Sequence, residues 1–193
     1  MKSWISSSII IAMLLTFFVT FASENNFNSI LMDTITLKRI DLLHPLLRAE
    51  AHKMYEEMWQ ALRGRAIPRF SHTLRTIKEQ DALYQLGRTK AGKIVTNAKG
   101  GQSYHNFGLA IDLVLIIDGK EASWDTLKDY DGDKVSDWME CIAIFKKYGY
   151  EWGGEWKFKD APHCQKTFGQ SLVQLNIAAK MIKDNISYPI INL

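Results

Sequence analysis

The chain has 193 residues, 47% hydrophobic and 23% charged, with a net charge of +3. These values describe a folded globular domain and exclude disordered, collagen-like, coiled-coil and disulfide-framework chains. A charge this small, with no basic run to track phosphates, excludes a dedicated nucleic-acid binder.

Lys2 precedes an apolar run from Ile9 to Ala22, and Thr20-Phe21-Ala22 ends it with a small residue. This is the pattern of a secretory signal over residues 1–22. Read from Trp4, the same stretch also reaches the roughly 20 residues of an uncleaved anchor. Both readings export the rest of the chain, to the periplasm, the cell envelope or the medium. Only this segment offers contact with a membrane.

Pro45 fits the first turn of a helix running to Arg63, with Gly64 as its stop. Leu47, Ala51, Met54, Met58, Ala61 and Leu62 recur every three or four residues and form its core-facing stripe. Ala66–Leu74 reads as extended. Thr76 and Glu79 form a capping-box pattern, and Gly87 closes that helix after Leu86. Leu109–Ile117 is apolar and β-branched, a buried strand ended by Asp118-Gly119. Asp137 is placed to cap a helix through Tyr148, stopped by Gly149. Tyr150–Trp152 and Pro162–Gln165 read as short strands around a Gly-Gly turn, and Ser171 is placed to cap a last helix, Leu172–Lys183. Helices mix with hairpin-like strands without βαβ alternation, so the fold class is α+β.

Three side chains stand out: His105, Asp112 and His163. A separation of seven in one flat strand would put His105 and Asp112 on opposite faces. Gly108 lets the backbone turn between them, so both can face one ion. Pro162 keeps Ala161 extended and helps fix His163 on a strand. Two histidines and a carboxylate make a catalytic zinc set, because a fourth position stays open to water. From spacing alone, the competing reading is a set of hydrogen-bonded structural residues. His44, His52 and His72 lack comparable company and read as ordinary.

The combined pattern goes further. Ser-x-His-x-x-Gly-x-Ala-x-Asp at 103–112, Trp-Gly-Gly-Glu-Trp at 152–156 and Asp-x-Pro-His at 160–163 resemble the M15 family of zinc peptidases. Within it, the resemblance is closest to L-alanyl-D-glutamate peptidases, the group of phage endolysins and bacterial wall hydrolases. Leu43–Arg48, Leu74-Arg75-Thr76 with Gln80, and Leu83–Thr89 extend it over residues 37–170.

The resemblance implies the fold shared with D-Ala-D-Ala peptidases and the hedgehog domain, a small antiparallel sheet flanked by helices. It implies one zinc per chain on His105, Asp112 and His163, Asp160 as general base, and Arg75 steadying the oxyanion. Glu155 is the next candidate base. Ser103, Gln80 and Tyr84 are its candidates for substrate binding, with scaffold roles as the alternative. Trp152 and Trp156 are read as groove lining or as packing for the zinc loop. The implied substrate is a peptidoglycan stem peptide, cut at L-Ala–D-Glu by a monomer. The rivals are a D-Ala-D-Ala carboxypeptidase using the same site and a non-catalytic zinc-containing binding domain. Residues 1–22 are then signal or anchor, 23–36 a leader, 37–185 the zinc peptidase domain and 186–193 a C-terminal tail.

Two features lie outside the resemblance. Asp129, Asp131, Asp133, Asp137 and Glu140 occupy positions 1, 3, 5, 9 and 12 of an EF-hand spacing, but Lys134 stands at the position that takes glycine. The segment reads either as a calcium loop or as an acidic loop capping the following helix. The two cysteines, Cys141 and Cys164, admit a disulfide or two buried free thiols.

Overall fold

The computed structural model describes residues 33–62, 65–180 and 188–191. The chain separates into two units, Met1–Asp33 and Thr34–Leu193. The signal or anchor, the leader as far as residue 32, Gly64 and Lys183 lie outside the described residues. No described helix is long and apolar enough to cross a membrane.

Helix α1, Thr34–Ile40, has no counterpart among the sequence elements and runs across the boundary between leader and domain. Thr36 and Ile40 are buried, and the Thr36 hydroxyl accepts the Phe70 N–H at 3.1 Å. Helix α2, Pro45–Ala61, begins at Pro45, as the fixed φ of proline favours. His44 caps it: Nδ1 accepts the Leu46 N–H at 3.3 Å, while Nε2 donates to the Pro189 carbonyl at 2.9 Å. The described part of the C-terminal tail, Tyr188–Ile191, therefore packs on the domain, with Ile191 buried. Leu47, Ala51, Met54, Tyr55 and Met58 form the buried face of α2.

Strand β1, Ala66–His72, leads to α3, Ile77–Gln85, whose capping box is complete. A short 3₁₀ turn, Tyr104–Phe107, precedes β2, Ala110–Ile117. Beyond β2 come β3, Glu121–Ser123, then α4, Asp137–Lys147, β4, Glu151–Trp152, β5, His163–Gln165, and α5, Leu172–Lys180. Ser136 caps α4, accepting the Met139 N–H at 3.4 Å; Asp137, expected there, is the first helical residue.

All pairings are antiparallel, in the order β1-β2-β5-β4 with β3 on β2. Strand β2 organises the sheet. One edge carries β1 along most of its length, and the other carries β5 at its start and β3 at its end. Seven of its eight residues are buried, so both faces of β2 are covered, which accounts for its nearly unbroken apolar run. At the hairpin after β2, Asp118 and Gly119 both take positive φ, as an Asp-Gly hairpin turn requires. The core side of the sheet is sealed by Tyr55, Phe70, Phe145 and Tyr150, with ring centroids 5.4–5.9 Å apart in sequence from Tyr55–Phe70 to Phe145–Tyr150. Cys141 and Cys164 are buried free thiols, so the bridging alternative is not the one adopted. Burial pushes both thiols well up from their ordinary titration range.

Candidate metal centre and active-site groove

The turn at Gly108 sets the first two ligands. His105 lies in the 3₁₀ turn, and Gly108 ends it with φ 66°. A Cβ there would approach the His44 nitrogen to 2.7 Å, so glycine is required by both conformation and space. The chain then enters β2, where Asp112 is the one incompletely buried residue. Across the sheet Asp112 pairs in register with His163 of β5. His105, Asp112 and His163 thus converge from a turn and two strands.

The convergence is tight. His105 Nε2 lies 3.0 Å from Asp112 Oδ1 and 3.2 Å from His163 Nδ1, and that nitrogen lies 3.3 Å from Asp112 Oδ1. Ligand atoms about 2.0–2.1 Å from a tetrahedral zinc stand about 3.3–3.4 Å from one another. The donor set therefore fits zinc in both chemistry and spacing. The other ring nitrogens are already engaged. His105 Nδ1 donates to the Thr73 carbonyl at 2.7 Å, which leaves Nε2 as a lone-pair donor to metal. His163 Nε2 donates to Gln165 Oε1 at 3.1 Å, and the Gln165 amide donates to Glu151 at 3.1 Å. Trp156 packs on the His163 ring with centroids 5.3 Å apart. Burial would raise the Asp112 carboxyl, but His105 and His163 outweigh it and hold Asp112 far below the usual range. Burial lowers His163, and the contact with Asp112 outweighs that and raises it.

The centre opens into a groove of about 700 Å³ lined by Arg75, Ser103, Asp160 and Trp156 among others. Arg75 Nη2 lies 3.7 Å from Asp112 Oδ2, beside the three candidate ligands. Its backbone N–H donates to the His105 carbonyl at 3.0 Å, and Asn106 donates to its carbonyl at 2.8 Å. Asp160 is exposed at the groove, and its carbonyl accepts the His163 N–H at 3.1 Å. Gly153 makes this approach feasible, since a Cβ there would meet the Asp160 carbonyl oxygen at 2.5 Å. Glu155, the other candidate base, is paired with Lys146 and does not line the groove. Trp152 Nε1 donates to the Ala161 carbonyl at 2.7 Å, a packing support for the loop.

The three candidate substrate residues separate. Ser103 lines the groove, although its hydroxyl also accepts the His105 N–H at 3.3 Å. Gln80 is fully buried: its Oε1 accepts Arg75 Nη1 at 3.0 Å and its amide donates to the Ala98 carbonyl at 2.8 Å. Tyr84 lies outside the lining, with the Arg88 guanidinium 4.0 Å from its ring centroid. Neither of these two is among the groove-lining residues. His72, which reads as ordinary in the sequence, belongs to the groove. Strand β1 slips register between Phe70 and His72, which brings His72 opposite Asp112 and into the groove. No local signal marks this, because the pairing joins residues forty positions apart.

An M15 peptidase model, described as D-alanyl-D-alanine carboxypeptidase, matches residues 96–166, the stretch that carries all three ligands. The peptidoglycan L-alanyl-D-glutamate endopeptidase CwlK of Bacillus subtilis is 45% identical over 126 residues, covering 64% of this chain and 72% of that protein. The chain belongs to the M15 peptidase family. Members of that family are zinc-dependent peptidases, which agrees with the donor set here. The L-alanyl-D-glutamate peptidase of Listeria phage A118 is 29% identical over 131 residues, 67% of this chain, which spans 40% of that longer protein. The crystal structure of the L-Ala D-Glu endopeptidase ChiX of Serratia marcescens is similar at 24% identity and a TM-score of 0.47, covering 70% of this chain and 88% of that one.

Proposed function

We propose that this M15 peptidase binds one zinc per chain at His105, Asp112 and His163 and hydrolyses peptidoglycan stem peptides at the L-Ala–D-Glu bond. The observation that carries the reading is the meeting of three ligand atoms within 3.3 Å of one another, in a groove that also holds Asp160 and Arg75. Zinc, when bound, acidifies a water toward a pKa of roughly 7 and polarises the scissile carbonyl. Asp160 takes the proton of the attacking water and returns it to the leaving amine. Arg75, fixed through Gln80 and its own backbone, offers a guanidinium where negative charge grows on the carbonyl oxygen. His105 and His163 keep their tautomers through Thr73 and Gln165.

The choice of bond is supported by the activity that CwlK, the relative at 45% identity, is named for. The description of the matched family model supports a second register, removal of a terminal D-Ala. Digestion of purified muropeptides, read by mass, tests both. Release of a peptide beginning with D-Glu is expected. Loss of a single alanine residue would assign the carboxypeptidase reaction instead. No turnover of any stem peptide by zinc-loaded protein would assign a non-catalytic zinc domain.

The proposal includes export, supported by the apolar run from Ile9 to Ala22 behind Lys2. It also includes action as a monomer, supported by a groove whose ligands, base and arginine all come from one chain.

A further inference from the structure

We propose that the loop between β3 and α4, together with the first turn of α4, is a calcium site built from Asp129, Asp131, Asp133, Asp137 and Glu140, separate from the His105–Asp112–His163 centre. Two overlapping sets of carboxylates meet there, Asp129 with Asp131 and Asp137, and Asp131 with Asp133 and Glu140. Within each set the ligand oxygens lie within 4.8 Å of one another, and Asp131 belongs to both. The loop already has the shape such a site needs. Asp129 accepts the Gly132 N–H at 2.6 Å and the Lys134 N–H at 2.9 Å. Lys134 takes φ 78°, the left-handed conformation at the position where a twelve-residue calcium loop carries glycine.

Acidic surface loops often hold no ion, so the decisive observation is Asp137. Its side chain is fully buried, and Oδ1 accepts the Tyr130 N–H at 2.9 Å. Its Oδ2 is buried without any hydrogen-bond partner. Helix capping does not account for it, because Ser136 caps α4. A buried carboxylate oxygen with no donor is costly, and a cation among the neighbouring carboxylates removes that cost. All the donors are carboxylate oxygens, three from the loop and two from the first turn of α4, a set that suits calcium rather than zinc. Bound there, the ion would tie the loop to the first turn of α4, whose buried face is formed by Trp138, Cys141, Ile142 and Phe145.

The test uses zinc-loaded protein dialysed free of calcium without chelator, titrated calorimetrically with calcium chloride and then melted. One calcium per chain is expected, with a dissociation constant of roughly 10⁻⁴–10⁻³ M. At 10 mM calcium the melting temperature should rise by about 3 °C or more, with zinc content unchanged. Asp131→Asn and Asp137→Asn should each weaken binding at least about tenfold, since each removes a charged ligand. Should Asp137→Asn fail to fold, Asp131→Asn, at a partly exposed position, decides alone. No saturable uptake up to 10 mM calcium overturns the proposal. So does equal binding of magnesium, or wild-type affinity in Asp131→Asn.

Discussion

His105 and His163 meet the metal centre through different nitrogens: Nε2 of the first lies 3.2 Å from Nδ1 of the second. The asymmetry comes from the group that holds each ring from behind. A strand-end carbonyl, that of Thr73, takes the His105 Nδ1 proton, whereas a side chain two residues along β5, Gln165, takes the His163 Nε2 proton. One imidazole is therefore held by backbone and the other by a replaceable amide. Gln165→Met should lower zinc affinity by roughly 10–100-fold, the usual cost of losing such a partner. Competition with a chelating dye measures it. Unchanged affinity would mean that packing against Trp156 alone orients His163.

Asp160→Ala should retain zinc and lose about 10²–10⁴-fold in turnover, the usual share of a general base. Glu155→Ala should change the rate little, since Glu155 is engaged with Lys146 away from the groove. Steady-state rates on a stem peptide, with metal content measured in parallel, distinguish the two. A loss below tenfold in metal-replete Asp160→Ala would assign the proton transfer elsewhere.

Arg75 and Gln80 should behave as a unit. Gln80 holds one guanidinium nitrogen while the other lies beside Asp112. Arg75→Lys removes the planar fork, and Gln80→Leu removes its support. Both should lower kcat, with KM less affected. A loss confined to KM would place Arg75 in ground-state binding rather than on the oxyanion.

Much of the site is readable in the sequence because its determinants are local. The 103–112 segment contains its own turn, so His105, Gly108 and Asp112 can be placed from spacing before any sheet is known. The long apolar strand is readable because both faces of β2 are buried, which leaves an apolar run in the sequence itself. Features that depend on distant pairing are not readable. His72 enters the groove through a register slip in β1. Gln80 carries no mark of burial in its sequence; only the loop at Ala98 closing over it makes it a support for Arg75. The Tyr188–Ile191 segment resembles a tail because nothing local shows that His44, more than a hundred residues earlier, bonds to Pro189.

The capping box of α3 gives a pH test of stability. Hydrogen bonds from the Thr76 hydroxyl and backbone hold the Glu79 carboxyl below its ordinary value. A depressed folded value means that the contribution is present above the unfolded value of about 4.3 and disappears as pH falls through the lower folded one. Glu79→Ala should therefore melt below wild type at pH 7, and the difference should close as the pH is taken toward about 3. A difference that persists unchanged at low pH would show that the charge of Glu79 is not what the cap uses.

Metal analysis of single-ligand variants tests the central claim most directly. Wild type should carry one zinc per chain after loading and desalting, and His105→Ala, Asp112→Ala and His163→Ala should each carry little or none, because each removes one of only three protein ligands. A full zinc complement in His105→Ala, with the fold intact by circular dichroism, would contradict the assignment of the centre.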